Sequence, residues 1–260
     1  MRLGNIHLSN PFRPPALVAK MAASLDYITG GRLDFFIEPG RPDNPEADAY
    51  GFNIPDDATG VERLEEAIRI IKAMWTEDAP SFQGKYYQIK SAVCSPKPVQ
   101  RPTIPLWIGT IGSESTELLQ KINGMRIEAI ARHAHWWNNT PASVEHCRNT
   151  LHMLRQTCQR TGRDYNSIGR SLEIQVLVAE TPGQVRRLME AIEAHNPRRV
   201  FFSNWEVLAQ RNIIGDVKEA IRRVREYVDV GIQCFQLWFM DYPSLEGLRT
   251  FANRVMPYFR

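Results

Sequence analysis

Short, nearly unbroken apolar runs alternate along this chain with longer stretches whose apolar residues recur every three or four positions. The runs are Leu3–Leu8, LDFFIE (33–38), IPLWIG (104–109), IEAIARH (127–133), LEIQVLVA (172–179) and QCFQLWFM (233–240). A strand covered by helices on both faces loses the inside/outside alternation of an exposed sheet, and parallel strands are covered in this way. The pattern therefore predicts an α/β fold with a parallel sheet: six β/α units in one domain over residues 1–260, plus a short strand at RRVFF (198–202). A closed (β/α)8 barrel takes eight such units.

The helices carry their own signals. Pro14 and Pro15 open a helix over Ala16–Ile28, and Gly30-Gly31 stops it. Thr59, with Glu62 three residues on, reads as a capping box before the face Val61, Leu64, Ile68, Ile71 and Trp75. A helix is expected at Ser115–Ile122, and Thr140-Pro141 is expected to cap another that runs to Gln159. Thr181-Pro182 with Gln184 forms a second capping box, and the last helices fall near 216–229 and 244–255. The proline-rich 80–102 stretch, with SFQGKYYQI, reads as a small hairpin.

Composition narrows the function classes. At 43% hydrophobic and 23% charged residues, the chain of 260 residues is of ordinary globular make-up. A net charge of +3 with no basic run argues against a nucleic-acid partner. No apolar stretch approaches the roughly 18 residues that span a bilayer, so no membrane partner is expected. Cys94, Cys147, Cys158 and Cys234 are scattered without a CxxC pair, and no leader is evident. A reducing cytoplasm is therefore expected, and no metal site.

In a parallel barrel the chemistry sits at the carboxyl ends of the strands. After IPLWIG come Gly109, Thr110, Ile111, Gly112 and Ser113. Two glycines let backbone N–H groups approach an anion in front of a helix N-terminus; by itself the stretch is also a glycine-turned connection with Ser113 as N-cap. After LDFFIE comes Pro39-Gly40-Arg41. Glu38 there is a candidate acid/base, or a carboxylate paired with an arginine such as Arg41. His7, near the end of the first run, is a second catalytic candidate or a satisfied structural histidine. Trp137 and Asn138 offer an aromatic wall and an amide hydrogen-bonder, or a core tryptophan and a helix-start asparagine.

Seven stretches, in order, resemble the luciferase-like monooxygenase family in its flavin- or deazaflavin-dependent oxidoreductase branch. They are RPPALVAKMAASLDYITGGRLDF, AYGF, RLEEAIRIIKAMWTED, SFQGKYYQI, SPKPVQRPTIPLWIG, GRDYNSI and REYVDVGIQCFQLWFMDYPSLEGLRTFANRVMPYFR. The resemblance implies a (β/α)8 TIM-barrel-like fold that begins at the third strand, truncated to about six β/α units. RLGNIHLS would then lie at an open edge, covered by a second copy in a homodimer or by the loop 41–60. It implies reduced FMN or coenzyme F420 as cofactor and a small organic substrate, with hydride transfer or oxygen activation at the strand ends. Ile6, Gly40, Gly109, Thr110, Ile111, Gly112, Ser113, Trp137 and Asn138 would surround the cofactor. The segment holding Ile6 and His7 is implied to bulge, sometimes with a non-prolyl cis peptide. Relatives carry glycines where Phe36, Glu38, Thr110 and Ile111 stand, and an aspartate at His135. The alternative reading is a catalytically impaired relative, binding flavin weakly or only another protein chain.

Overall fold

A computed structural model describes residues 1–42, 44–112, 116–195 and 204–259, so the strand expected at 198–202 lies outside the described residues. β1 (Leu3–Gly4) and β2 (Leu8–Ser9) lead into α1 (Pro15–Ile28), and β3 (Leu33–Glu38) leads through α2 (Pro45–Ala49) into α3 (Asp57–Thr76). An antiparallel hairpin of β4 (Phe82–Gln83) and β5 (Gln88–Ile89) precedes β6 (Leu106–Thr110) and α4 (Glu117–His133). The chain continues through β7 (Trp136–Asn139), α5 (Val144–Thr161), β8 (Gly169–Ala179), α6 (Pro182–His195), α7 (Trp205–Arg211) and β9 (Ile213–Asp216). It closes with α8 (Val217–Asp229), β10 (Cys234–Phe239) and α9 (Glu246–Thr250). Among the described residues six β/α units are present, built on β1–β2, β3, β6, β7, β8 and β10, five of them on the expected strands and the fourth on β7. Among the described residues no helix is long and apolar enough to cross a membrane.

The described residues form two compact units: 1–110, 116–137 and 156–168 in the first, and 111–112, 138–155 and 169–259 in the second. In the first, β3 pairs in parallel with β1 (Leu3↔Leu33), β2 (Leu8↔Ile37) and β6 (Phe36↔Trp107). The single strand expected at Leu3–Leu8 is broken in two. Between the pieces the Ile6–His7 peptide is cis, and the Asn5 side chain takes the place of the ladder. Its Nδ2 donates to Phe36 O at 2.6 Å and its Oδ1 accepts from Phe36 N at 3.2 Å.

One face of β3, Phe35 and Ile37, is buried with the apolar face of α3, as Leu64, Ile68, Ile71 and Trp75 are. Phe35 meets Trp75 edge-on, with ring centres 5.8 Å apart, and Trp75 Nε1 donates to Ala19 O on α1. The buried Asp26 of α1 accepts from Val99 N, Gln100 N and Gln100 Nε2, which fastens the PVQRP stretch to the end of the helix. α3 starts earlier than expected. Asp56 accepts from the Thr59 N–H at 3.0 Å and is the N-cap, while Glu62 is drawn instead to Lys85 and Tyr86.

The strand expected at 127–133 is corrected: those residues belong to α4. Ile122, Ile127 and Ile130 recur at helical spacing and are buried, and Thr116 caps the start through Leu119 N. The strand lies just beyond, at β7.

In the second unit β8 pairs in parallel with β10 over Ser171–Val176 and with β9 over Val176–Ala179. Ser143 Oγ, not Thr140, accepts the helix-start N–H of α5, from His146. The Thr181/Gln184 capping box forms as expected: Thr181 N donates to Gln184 Oε1 at 3.0 Å, and Gln184 N to Thr181 Oγ1 at 3.3 Å. The two-isoleucine run of β9 is too short to announce a strand.

Candidate functional site

Alternation along β3 turns Asp34, Phe36 and Glu38 to the face opposite Phe35 and Ile37. Phe36 opposes Trp107 on β6, with ring centres 6.3 Å apart, and Trp107 stacks on Trp136 of β7 at 4.6 Å and 7°. His7 meets Phe36 edge-on at 4.6 Å. The result is an aromatic row His7–Phe36–Trp107–Trp136 across neighbouring strands of the first unit, in which the two indoles are coplanar. Trp107 Nε1 donates to Asp34 Oδ1 at 3.3 Å and fixes that ring.

At the carboxyl end of β3 the structure brings the two catalytic candidates together. Glu38 Oε2 lies 4.0 Å from His7 Nδ1, and Glu38 Oε1 accepts from Ser9 Oγ at 3.1 Å. Both side chains keep about a fifth of their surface open, 22% for His7 and 21% for Glu38. The carboxylate is thus oriented by a hydroxyl and still reachable, an arrangement suited to taking or returning a proton. Ser9 and His7, not Arg41, are its partners. Ile6 is 43% exposed beside this pair. Gly40 has φ +91°, and a side chain there would meet Pro11 at 3.0 Å, so the turn after Glu38 needs glycine on both counts.

Thr110 and Trp137 meet in the packed layer: Trp137 is fully buried and its Nε1 donates to Thr110 Oγ1 at 2.9 Å. The ring in the aromatic row is its neighbour Trp136, a one-residue shift that strand alternation alone could have flagged. Gly109 O accepts from Arg126 Nη1 of α4 at 3.4 Å. Arg126 is 4% exposed, and its Nε has no partner among the described residues. Burial lowers the Arg126 pKa, the carboxylates Glu38 and Asp57 work against that, and Arg41 adds to it. No local sequence signal singled out Arg126, Ser9 or Trp107.

At the other end of these strands His135 is held by the backbone. His135 Nδ1 accepts from Leu106 N at 3.0 Å, so a neutral imidazole does there what a carboxylate acceptor would do. Burial, with Lys72 and Arg163 nearby, lowers its pKa and keeps it neutral.

In the second unit, Gly112 N donates to Thr140 Oγ1 at 2.7 Å, and a side chain on Gly112 would lie 2.5 Å from Pro141 O. Any larger residue there would disturb packing before it touched a ligand. Ile111 is half-buried, and Ser113 lies outside the described residues. Asn138 is fully buried: its Oδ1 accepts from Ser171 Oγ at 2.7 Å, and its Nδ2 has no partner among the described residues.

A family model described as luciferase-like monooxygenase matches residues 1–234. This chain belongs to the luciferase-like monooxygenase family. It is 25% identical, over 100% of its length and 76% of the relative's, to the oxygenase component of a flavin-dependent trigonelline monooxygenase from Acinetobacter baylyi. It is 27% identical, over 95% of its length and 74% of the relative's, to an F420-dependent glucose-6-phosphate dehydrogenase from Kineococcus radiotolerans. Among solved structures, an F420-dependent secondary alcohol dehydrogenase superposes with a TM-score of 0.80 at 17% identity, covering 100% of this chain and 80% of the other. The luciferase-like, TIM-barrel-type α/β fold read from the sequence is the fold of this chain.

Proposed function

We propose that this chain is a flavin- or deazaflavin-dependent oxidoreductase, a monooxygenase or hydride-transfer enzyme, acting on a small organic substrate at the carboxyl ends of its strands. The family match over residues 1–234 carries the proposal, since it contains every residue assigned to the site. Reduced FMN or coenzyme F420 would supply the redox chemistry. The residues of the first unit fit such a group: they offer two coplanar indoles, Trp107 and Trp136, and a buried guanidinium, Arg126, with an N–H that has no partner among the described residues.

In the first unit Ile6, with His7, and Gly40 and Gly109 would serve the cofactor; for the second unit the same role is proposed for Ile111 and Asn138, and Ser113 lies outside the described residues. Thr110 and Trp137 would act from the packed layer of the first unit, joined by their hydrogen bond, and Gly112 would act in the second unit, tied to Thr140. Glu38, oriented by Ser9, would hold or move the proton, with His7 Nδ1 as its neighbour. The proposal includes a single working domain over 1–260, a cytoplasmic setting and a homodimer. The exposed stripe Leu17, Met21, Leu25 and Ile28 on α1 supports the homodimer, and sedimentation of the chain as a monomer would remove that part.

A second reading, a relative that binds flavin weakly without turnover, is favoured by Gly112, whose N–H is already donated to Thr140. Titration of the purified chain with FMN and F420, oxidised and reduced, followed by tryptophan fluorescence, separates the two. Saturable quenching with turnover of the reduced cofactor is expected. Quenching without turnover favours the second reading, and no response to either cofactor overturns both.

A further inference from the structure

Two arginines of this chain are held in buried settings in different ways. Arg223, in the second unit, is filled by protein. It pairs with Glu226 at 3.0 Å and donates to Gln210 O, Ala209 O and Tyr227 Oη, so one idle Nε–H is a small remainder. Arg126, in the first unit, is more buried and far less engaged. Among the described residues its single hydrogen bond is the 3.4 Å contact from Nη1 to Gly109 O, at the long end of the range. Its Nε is sealed from solvent and has no partner among the described residues. Glu38 and Asp57 are the carboxylates whose fields reach it, and among the described residues none comes within the 4.0 Å of an ion pair.

A guanidinium carries five N–H donors in a planar fork that matches two oxygens of a carboxylate or phosphate. Removing such a cation from water without a counter-charge is strongly unfavourable. A buried arginine with one long bond to a carbonyl, at the carboxyl end of a strand, is a half-made anion site.

We infer that Arg126 anchors a ligand oxyanion, a phosphate or a carboxylate, beside the Gly109 carbonyl at the end of β6. The identity of the ligand rests on the function proposed above: the oxyanion would be the cofactor's phosphate or an acid group of the substrate. The anchor itself does not depend on that choice.

The test compares the purified chain with Arg126→Met, which keeps bulk and loses charge, and Arg126→Lys, which keeps charge and loses the fork. Thermal unfolding is followed with inorganic phosphate against sodium chloride at matched ionic strength. Binding of FMN and of riboflavin, which lacks the phosphate, is followed by fluorescence. Phosphate is expected to raise the melting temperature of the parent. Arg126→Met should bind phosphate at least about tenfold more weakly and should melt no lower than the parent without anion.

An FMN-over-riboflavin preference of about tenfold in the parent, absent in Arg126→Met, assigns the anion to the cofactor. If both proteins bind the two flavins alike while phosphate still protects only the parent, the anchor is the substrate's and the cofactor reading stands. If phosphate protects only the parent and no flavin binds, the anchor stands and the cofactor reading falls. Equal phosphate protection of parent and Arg126→Met, or none in the parent, overturns the inference. Should Arg126→Met fail to fold, Arg126→Lys decides: weaker phosphate protection than the parent supports the anchor, and equal protection overturns it.

Discussion

Two glutamates of the first unit sit in contrasting settings. Glu66, on α3, reaches under the β4–β5 hairpin and accepts from three consecutive backbone N–H groups, Lys85 at 2.7 Å, Tyr86 at 2.9 Å and Tyr87 at 3.1 Å. The turn closes so tightly around it that a side chain on Gly84 would overlap the carboxylate. Glu38, at the end of β3, has one hydroxyl at 3.1 Å and an imidazole at 4.0 Å, with surface left open. Glu66 is a tie: its oxygens are occupied by the chain itself. Glu38 keeps acceptor capacity for something the chain does not provide. Carboxylates of one chemistry are thus sorted into architecture and reactivity by how many of their acceptor sites the fold already fills.

The largest expected effect is on the tie. Glu66→Ala leaves three N–H groups of the turn without their acceptor and should lower the unfolding free energy by about 3 kcal/mol, read by denaturant titration. A loss under about 0.5 kcal/mol would erase the contrast, because the carboxylate would then be no more structural than Glu38.

Glu38→Gln comes next and should move the other observable. It should stay within about 0.5 kcal/mol of the parent in stability while reducing turnover with the reduced cofactor by about tenfold or more, a barrier change of ~1.4 kcal/mol. A stability loss matching that of Glu66→Ala, with turnover intact, would make Glu38 a second tie.

The smallest effect is a slope. Burial works against the charge on Glu66, but the N–H groups of Tyr86, Lys85 and Tyr87 outweigh it and hold its carboxyl below the ordinary value. Because the folded pKa lies below the unfolded one, this stabilisation is fully present above the ordinary carboxyl range. It is lost as pH falls through the folded value. Melting temperatures of the parent should therefore drop on acidification more steeply than those of Glu66→Gln, and parallel acid limbs would contradict the assignment.

Much of the fold was legible because burial imposes period. LDFFIE became β3 without adjustment, and the Thr181/Gln184 box closed as its spacing required. The strand expected at 127–133 is the end of α4, because a short apolar run fits strand and helix alike. The structure keeps Asn123 and Gly124 inside the helix, with Asn123 buried and Gly124 facing open space, so packing of Ile122, Ile127 and Ile130 overrides a glycine penalty of about 1 kcal/mol.

Of the site, His7 and Glu38 were legible as residue types at strand ends, and the structure joins them. Trp136 was missed by one position, and one position in a strand is a change of face. Ser9 and Arg126 carry no local pattern. Their significance comes from what approaches them across the fold, Glu38 in one case and very little in the other.

The break between β1 and β2 has a consequence for how this protein ages. Asn5 imitates a peptide group, offering one N–H and one C=O to Phe36 where the backbone has turned away. Only an amide side chain can do this, and its hydrolysis product cannot. Conversion of Asn5 to aspartate changes one nitrogen for one oxygen and sets a carboxylate oxygen 2.6 Å from the Phe36 carbonyl, a repelling pair in place of a bond. Phe36 also carries the His7 edge of the aromatic row. A chemical change at the fifth residue would therefore be felt at the aromatic row.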